Sequence, residues 1–236
     1  RAATIQAYAL ARAELERGLA DGLRNAAPEQ QGDVRDLPPA VILDVDETVL
    51  DNSPYQGWLA QEGRRFEPAT WSAWVEARQA RAIAGAVEFT RYAASKGVTV
   101  FYVSNRDVSG EAATRANLEA LGFPINPDVD TVLLKNEKPD WGSAKGTRRA
   151  AVAAGYRIVM LVGDALGDFT DSYKGTIDER AAVVEQAGDA WGSRWILIPN
   201  PMYGAWEDAA AGGSAETPAA HEAALLKAAA AWGGPN

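Results

Sequence analysis

The chain has 236 residues, a formal charge of −9, 47% apolar and 23% charged residues, no cysteine and a single histidine, His221. That length supports one large domain, and the ordinary apolar share rules out wholesale disorder. The acidic balance argues against nucleic-acid binding, and the composition removes disulfides, thiolate or His-clustered metal sites and a Cys nucleophile, leaving carboxylates, hydroxyls, amines or a hard metal ion.

Residues 3–24 carry Ile5, Tyr8, Leu15, Leu19 and Leu23 among Ala, Arg and Glu, an amphipathic helical pattern. Residues 25–39, with Gly32, Pro38 and Pro39, read as a loop, and 40–45 (AVILDV) as a buried strand. Four more strand-like runs follow at 98–103, 131–134, 157–162 and 195–198. Helical stretches near 83–95, 110–121, 144–154 and 178–189 separate most of them, with Gly97, Gly122 and Gly155 where C-caps belong. Alternating helices and continuous apolar strands predict an α/β fold with a doubly wound, mainly parallel sheet.

The stretch between Asp46 and Val98 is too long for a simple βα loop. It holds Tyr55, Trp58, Phe66, Trp71 and Trp74 and looks helical from 70 to 79. It predicts a small inserted helical subdomain, about 50–83, within one domain spanning 1–236. The aromatics Trp71 and Trp74 are expected mainly to fill core. The tail from 208 is rich in Ala and Gly, and 217–232 predicts a last helix with Thr217 as N-cap and Pro218 at N1. No run is long enough to span a membrane, so no membrane contact is expected from this chain. The chain starts at Arg1 and not at Met, which suggests a processed product whose targeting segment is gone. Zero cysteine suits an oxidising compartment.

Asp44-Val-Asp46-Glu-Thr48 follows the first strand. Ligands of open parallel sheets bind outside the carboxyl ends of the strands, and unneutralised carboxylates there are costly. If the strand continues, positions 44 and 46 share a face, one carboxylate for a cation and the other for substrate. An acidic turn is the plain alternative. Gly163-Asp164-Ala-Leu-Gly-Asp168 repeats the theme after the run 157–162, with a helix N-cap as its alternative. Two such pairs make an oxygen-rich cluster that suits Mg²⁺. Ser104-Asn105-Arg106 ends the run 98–103 with groups that can bind phosphate oxygens, or simply form a polar turn. Lys145 sits near a helix start, where its charge opposes the dipole and so would serve an anion or remain solvated. Tyr55 and Tyr203 are candidates for stacking on a substrate ring, or for ordinary packing.

Asp44-Val-Asp46-Glu-Thr48, then Ser104-Asn105-Arg106, a downstream Lys and Gly-Asp-x-Leu-x-Asp resemble the haloacid dehalogenase superfamily. The strings VILDVDETVLDNSPYQGW (41–58), ARQARAIAGAVEF (77–89), FYVSNRD (101–107), GDALGDF (163–169) and IPNPMYGAWE (198–207) resemble one branch of it more closely. That branch is the class C acid phosphatases, including the bacterial outer-membrane lipoprotein acid phosphatase/5′-nucleotidase type. The resemblance covers about residues 3–208.

It implies that Asp44 is the nucleophile that forms an aspartyl-phosphate. Asp46 would give a proton to the leaving group and later activate water, while Ser104 and Lys145 bind the transferring phosphoryl group. Mg²⁺ would be held by Asp44, the backbone carbonyl of Asp46, and Asp164, with Asp168 in support. An Asp at 46 favours phosphoester over carbon–halogen chemistry, since members that cleave carbon–halogen bonds generally lack it. Implied substrates are small phosphomonoesters including 5′-nucleotides, and a homodimer is compatible. The implied location is the periplasm or outer membrane of a bacterium. Two departures stand out: Ala165 replaces the Asn often found after Gly-Asp, and the lipobox cysteine is absent. Transfer to an alcohol acceptor, or a non-catalytic acidic metal-binding role, remain as competing readings.

Overall fold

A computed structural model describes residues 1–213 and 217–229. Helix α1 (Ala2–Ala20) leads to strand β1 (Pro39–Leu43). A short strand β2 (Leu50–Asp51), helices α2 (Ser53–Gln61) and α3 (Pro68–Ala77), and a short strand β3 (Arg81–Ala82) follow. The chain then alternates through α4 (Ala86–Ser95), β4 (Thr99–Asp107), α5 (Glu111–Leu121), β5 (Val132–Lys135), α6 (Gly146–Ala153) and β6 (Arg157–Gly163). It closes with α7 (Ile177–Ala187), β7 (Trp195–Leu197), α8 (Ala205–Ala210) and α9 (Pro218–Ala228). The Thr217 side chain caps α9, and residues 230–232 of the expected last helix lie outside the described residues.

The main sheet has five strands in the order β5-β4-β1-β6-β7, and every pairing is parallel. The period-2 geometry of a strand explains the two-faced core. Val41 and Leu43 of β1 join one apolar cluster with Leu15 of α1, Phe89 of α4 and Leu118 of α5. Ala40 and Ile42 join the other, with Val152 of α6, Phe169 and Trp195. Strand runs apolar at every position are what a sheet covered on both sides requires.

The insertion is helical as expected, but it also contains an unforeseen two-stranded ribbon. β2 and β3 pair antiparallel at its base, with Leu50 opposite Ala82 and Asp51 opposite Arg81. Two residues carry too little alternation to read as a strand from sequence.

Helix α1 differs from expectation in length and buried face. It ends at Ala20, and Ile5 and Leu23 are exposed. The buried positions are Tyr8, Ala11, Glu14, Leu15 and Gly18. A Cβ at Gly18 would collide with Val159 and Arg24, so close approach to the sheet selects small residues over large apolar ones here. Glu14 is tolerated because Arg17 and Arg24 both pair with it. No helix among the described residues is long and apolar enough to cross a membrane.

Candidate active site

The middle strands β4, β1 and β6 deliver the polar groups, because their carboxyl ends lie side by side. β1 stops at Leu43, so Asp44 and Asp46 do not share a strand face. Asp44 keeps one more sheet bond, its N–H donating to the Val162 carbonyl at 2.9 Å. Glu47 then adopts φ 58° and turns the chain back, with its N–H donating to Leu50 O at 2.8 Å. This tight turn aims the two carboxylates at different partners.

Asp44 faces Lys145. The ammonium donates to Asp44 Oδ1 and, at 2.7 Å, to Asp168 Oδ1, and all three side chains are buried. Lys145 is the N-cap residue of α6, so the following helix places it without neutralising it. Burial pulls its pKa down, but Asp168 and Asp44 outweigh that and raise it. Asp168 is fixed a second time, through the Ala165 N–H on Oδ2 at 2.9 Å. That bond uses backbone, so it survives with Ala at 165.

Asp44, Asp164 and Asp168 each bring an oxygen within 4.8 Å of the others. Asp164 accepts from Thr48 Oγ1 at 3.1 Å and from Asn200 Nδ2 at 2.8 Å. Burial pushes the Asp164 carboxyl up to about 7, with Asp168 adding to the effect. Burial likewise raises Asp44, against the pull of Lys145. Three carboxylates thus face one ammonium, an excess of negative charge built from hard oxygen donors. That donor set fits a divalent cation of the Mg²⁺ type, which would supply the missing charge.

Asp46 lies apart from that trio. Arg106 grips it, from Nε at 3.0 Å and Nη2 at 2.8 Å, and Asn52 Nδ2 donates at 2.9 Å. The sequence suggested Arg106 for phosphate oxygens. Its Nε and Nη2 are instead committed to Asp46 and its Nη1 to Thr114 Oγ1, so it serves to orient Asp46. Ser104 is fully buried, accepting from Arg106 N at 3.0 Å and lying 3.4 Å from Asp46 Oδ2. Asn105 is exposed, lines the cavity and donates to Ser143 O at 2.9 Å.

Tyr55 does not reach the cavity. It is buried among Trp58, Trp71 and Trp74, with ring centroids 5.9, 5.2 and 6.3 Å away, and its hydroxyl meets Thr70 Oγ1 at 2.9 Å. Its place is the core of the insertion. Tyr203 does line the cavity, and its hydroxyl donates to Glu47 Oε2. Burial, with Asp46 nearby, pushes the Glu47 carboxyl up to about 7.

Several contributors carried no distinctive signal in the sequence. Asn200 stands in the string IPNP, whose pattern gave it no role, yet it steadies Asp164. Arg148 is wholly buried and donates to Ser104 O, to Asn105 Oδ1 at 2.6 Å and to Gly142 O at 2.8 Å. It braces the loops that carry Ser104 and Gly142, and burial lowers its pKa to about 10. Arg149 pairs with Glu29 and Asp171 and donates to the carbonyls of Gly167 and Asp168. Those partners are distant in sequence, so only folding reveals them. The cavity before these groups has a volume of about 1440 Å³ and reaches from the insertion, through Phe66 and Trp71, to α7 and α8.

The family model of the HAD superfamily, subfamily IIIB (Acid phosphatase), matches residues 5–206. The chain belongs to that family. Among solved structures, this subfamily IIIB chain is similar to the class C acid phosphatase from Bacillus anthracis. Identity is 32% and TM-score 0.84, over 98% of this chain and 91% of that one. The tungstate-bound structure of the class C acid phosphatase from Bacillus anthracis matches at 31% and 0.83 over the same shares. Curated relatives include the Stem 28 kDa glycoprotein of Glycine max, 25% identical over 69% of this chain and 58% of that protein. Acid phosphatase 1 of Solanum lycopersicum is 28% identical over 69% and 57% respectively. The match to this subfamily IIIB chain thus spans less than three fifths of those plant proteins.

Proposed function

We propose that the chain is a Mg²⁺-dependent phosphomonoesterase of broad specificity, including 5′-nucleotides, that works through an aspartyl-phosphate on Asp44. The observation that carries this reading is the buried run Asp44–Lys145–Asp168, with Asp164 completing a carboxylate trio at the strand ends. The Bacillus anthracis class C acid phosphatase was solved with tungstate, a tetrahedral oxyanion, bound, which supports a phosphate-binding role for this chain.

Asp44, the backbone carbonyl of residue 46, and Asp164 would hold the cation, with Asp168 in support. Bound there, the cation offsets the repulsion between a carboxylate and a phosphate and stabilises charge on the equatorial oxygens. Asp44 attacks phosphorus, and the bond to the ester oxygen breaks. Lys145 binds a phosphoryl oxygen, moving from Asp44 while Asp168 retains it. Asp46 gives its proton to the departing oxygen, then takes one from the water that cleaves the aspartyl-phosphate. Arg106 and Asn52 keep Asp46 in place for both transfers. The Ser104 hydroxyl lies 3.4 Å from Asp46 Oδ2, and binding the phosphoryl group requires it to turn away. The family resemblance supports a periplasmic or outer-membrane setting.

Hydrolysis of p-nitrophenyl phosphate tests the reading. Turnover with Mg²⁺, loss in EDTA and recovery on adding Mg²⁺ back are expected. No turnover, or turnover indifferent to chelation, refutes it.

A further inference from the structure

Ten large apolar side chains are exposed among the described residues, and six of them line the cavity in front of Asp44: Leu10, Phe66, Val184, Leu197, Met202 and Trp206. Scattered exposed apolar residues need no explanation, but a concentration beside a binding centre does. Five of the six come from outside the insertion, and each is tied to the site or to a neighbour in the lining. Leu197 stands opposite Gly163 in the β6–β7 register, one residue before Asp164. The Met202 N–H donates to Asn200 Oδ1 at 2.9 Å, and Asn200 donates to Asp164. Trp206 closes on Gly204, beside Tyr203. Leu10 packs toward Gly192, next to Trp191, whose Nε1 donates to the Val184 carbonyl at 3.0 Å.

Helix α7 grades this lining from polar to apolar. It buries none of its residues, yet turns Arg180, Ala181 and Val184 to the cavity; Arg180 and Ala181 stand four and three residues before Val184, so each shares a helical face with it. Arg180 donates to the Tyr173 carbonyl, and the Tyr173 ring lies against Gly167, beside Asp168. Arg180 lines the cavity on the stretch that also holds Gly167, Asp168 and Tyr173. Val184 lies a turn further on, where the lining is apolar.

We propose that this groove receives the hydrocarbon chain of an amphiphilic phosphomonoester, a phosphate on a single long alkyl chain, with the phosphate at Lys145 and the chain along Leu197 and Val184. This rests on the phosphatase reading above and names a substrate class for that site. Continuity decides the occupant: the groove opens directly from the anion-binding carboxylate and lysine centre. A ligand filling both must be anionic at one end and apolar along the rest.

The test has a catalytic and a binding arm. For butyl, hexyl and octyl phosphate, each kept below its micelle concentration, kcat/KM is expected to rise about two- to fourfold per added methylene. For non-hydrolysable n-alkylphosphonates, dissociation constants read from tryptophan fluorescence are expected to tighten with the same slope. Val184→Asp, on an exposed helix face, should flatten both slopes, and Val184→Leu should keep them. Flat slopes in the wild type overturn the proposal. Flat slopes together with a dimer that Val184→Asp dissociates would overturn it and give the groove to a second copy. If no ester is hydrolysed while the phosphonate slope persists, the phosphatase reading fails and the chain-binding groove stands. If esters of all lengths are hydrolysed equally, the groove assignment fails alone.

Discussion

Arg106 holds Asp46 through three contacts of 2.8, 3.0 and 3.2 Å, from a side chain only 2% exposed. A buried guanidinium fork of this kind fixes a carboxylate in direction as well as charge. General-acid help matters in proportion to how poor the leaving group is. A nucleotide leaves as an alkoxide of high pKa, whereas p-nitrophenolate hardly needs a proton. Asp46→Asn is therefore expected to slow phosphoenzyme formation from a 5′-nucleotide about tenfold to a thousandfold more than from p-nitrophenyl phosphate. The comparison is made on the burst or on kcat/KM, because the proposed mechanism also gives Asp46 the hydrolysis step. Arg106→Lys, which removes the fork but keeps the charge, should act in the same direction with smaller size. Equal losses on both substrates would withdraw the proton-transfer role.

Asp44→Asn is expected to abolish turnover while circular dichroism stays that of the wild type. Lys145 keeps Asp168 as a partner in this variant, so the buried ammonium is not orphaned. Loss of a nucleophile costs several orders of magnitude, so activity above about 1% of wild type would sink the assignment.

Gly163→Ala tests how tightly the site is packed. A Cβ at 163 would overlap the Asp168 side chain, which cannot retreat cheaply because Lys145 and the Ala165 N–H both hold it. Small displacements of catalytic groups are costly, so kcat/KM should fall about tenfold to a hundredfold. An unchanged kcat/KM would show that Asp168 placement is not critical.

Arg149→Met tests stability. Arg149 is fully buried, and its loss strands Glu29 and frees the loop carrying Gly167 and Asp168. Removing one partner of a buried pair costs about 3–5 kcal/mol. Asp171 is 47% exposed, so water recovers part of that, and about 2–4 kcal/mol remains. For a chain of this size the melting temperature should drop roughly 5–12 °C. A shift under about 2 °C would show that solvent replaces the network.

The sheet was legible because its strands are apolar without interruption, as at Val41 to Leu43, and because Gly97 and Gly122 stop helices where the pattern changes. The carboxylate pairs were legible for a related reason: charge directly after a buried strand demands a purpose. For Tyr55 and Arg106 two roles stayed open, because position in the sequence does not say which way a side chain points. Tyr55 turned into a nest of tryptophans, and Arg106 found Asp46 sixty positions away. Arg149, Glu29 and Asp171 form a unit only after three separate segments meet, so no local pattern could announce it.

The ribbon at the base of the insertion has an evolutionary consequence. Beyond Asn52, which belongs to the site, the segment from 53 to 80 leaves and returns next to one pair of strand neighbours, Asp51 opposite Arg81, steadied by Ile83 N–H on Val49 O at 2.9 Å. Segments whose ends already touch can be lengthened, trimmed or exchanged with little strain on what lies beneath. The wall bearing Phe66 and Trp71 can therefore change by replacement of a loop, whereas a change in the carboxylate trio or Lys145, set at the ends of sheet strands and a helix, disturbs the sheet itself.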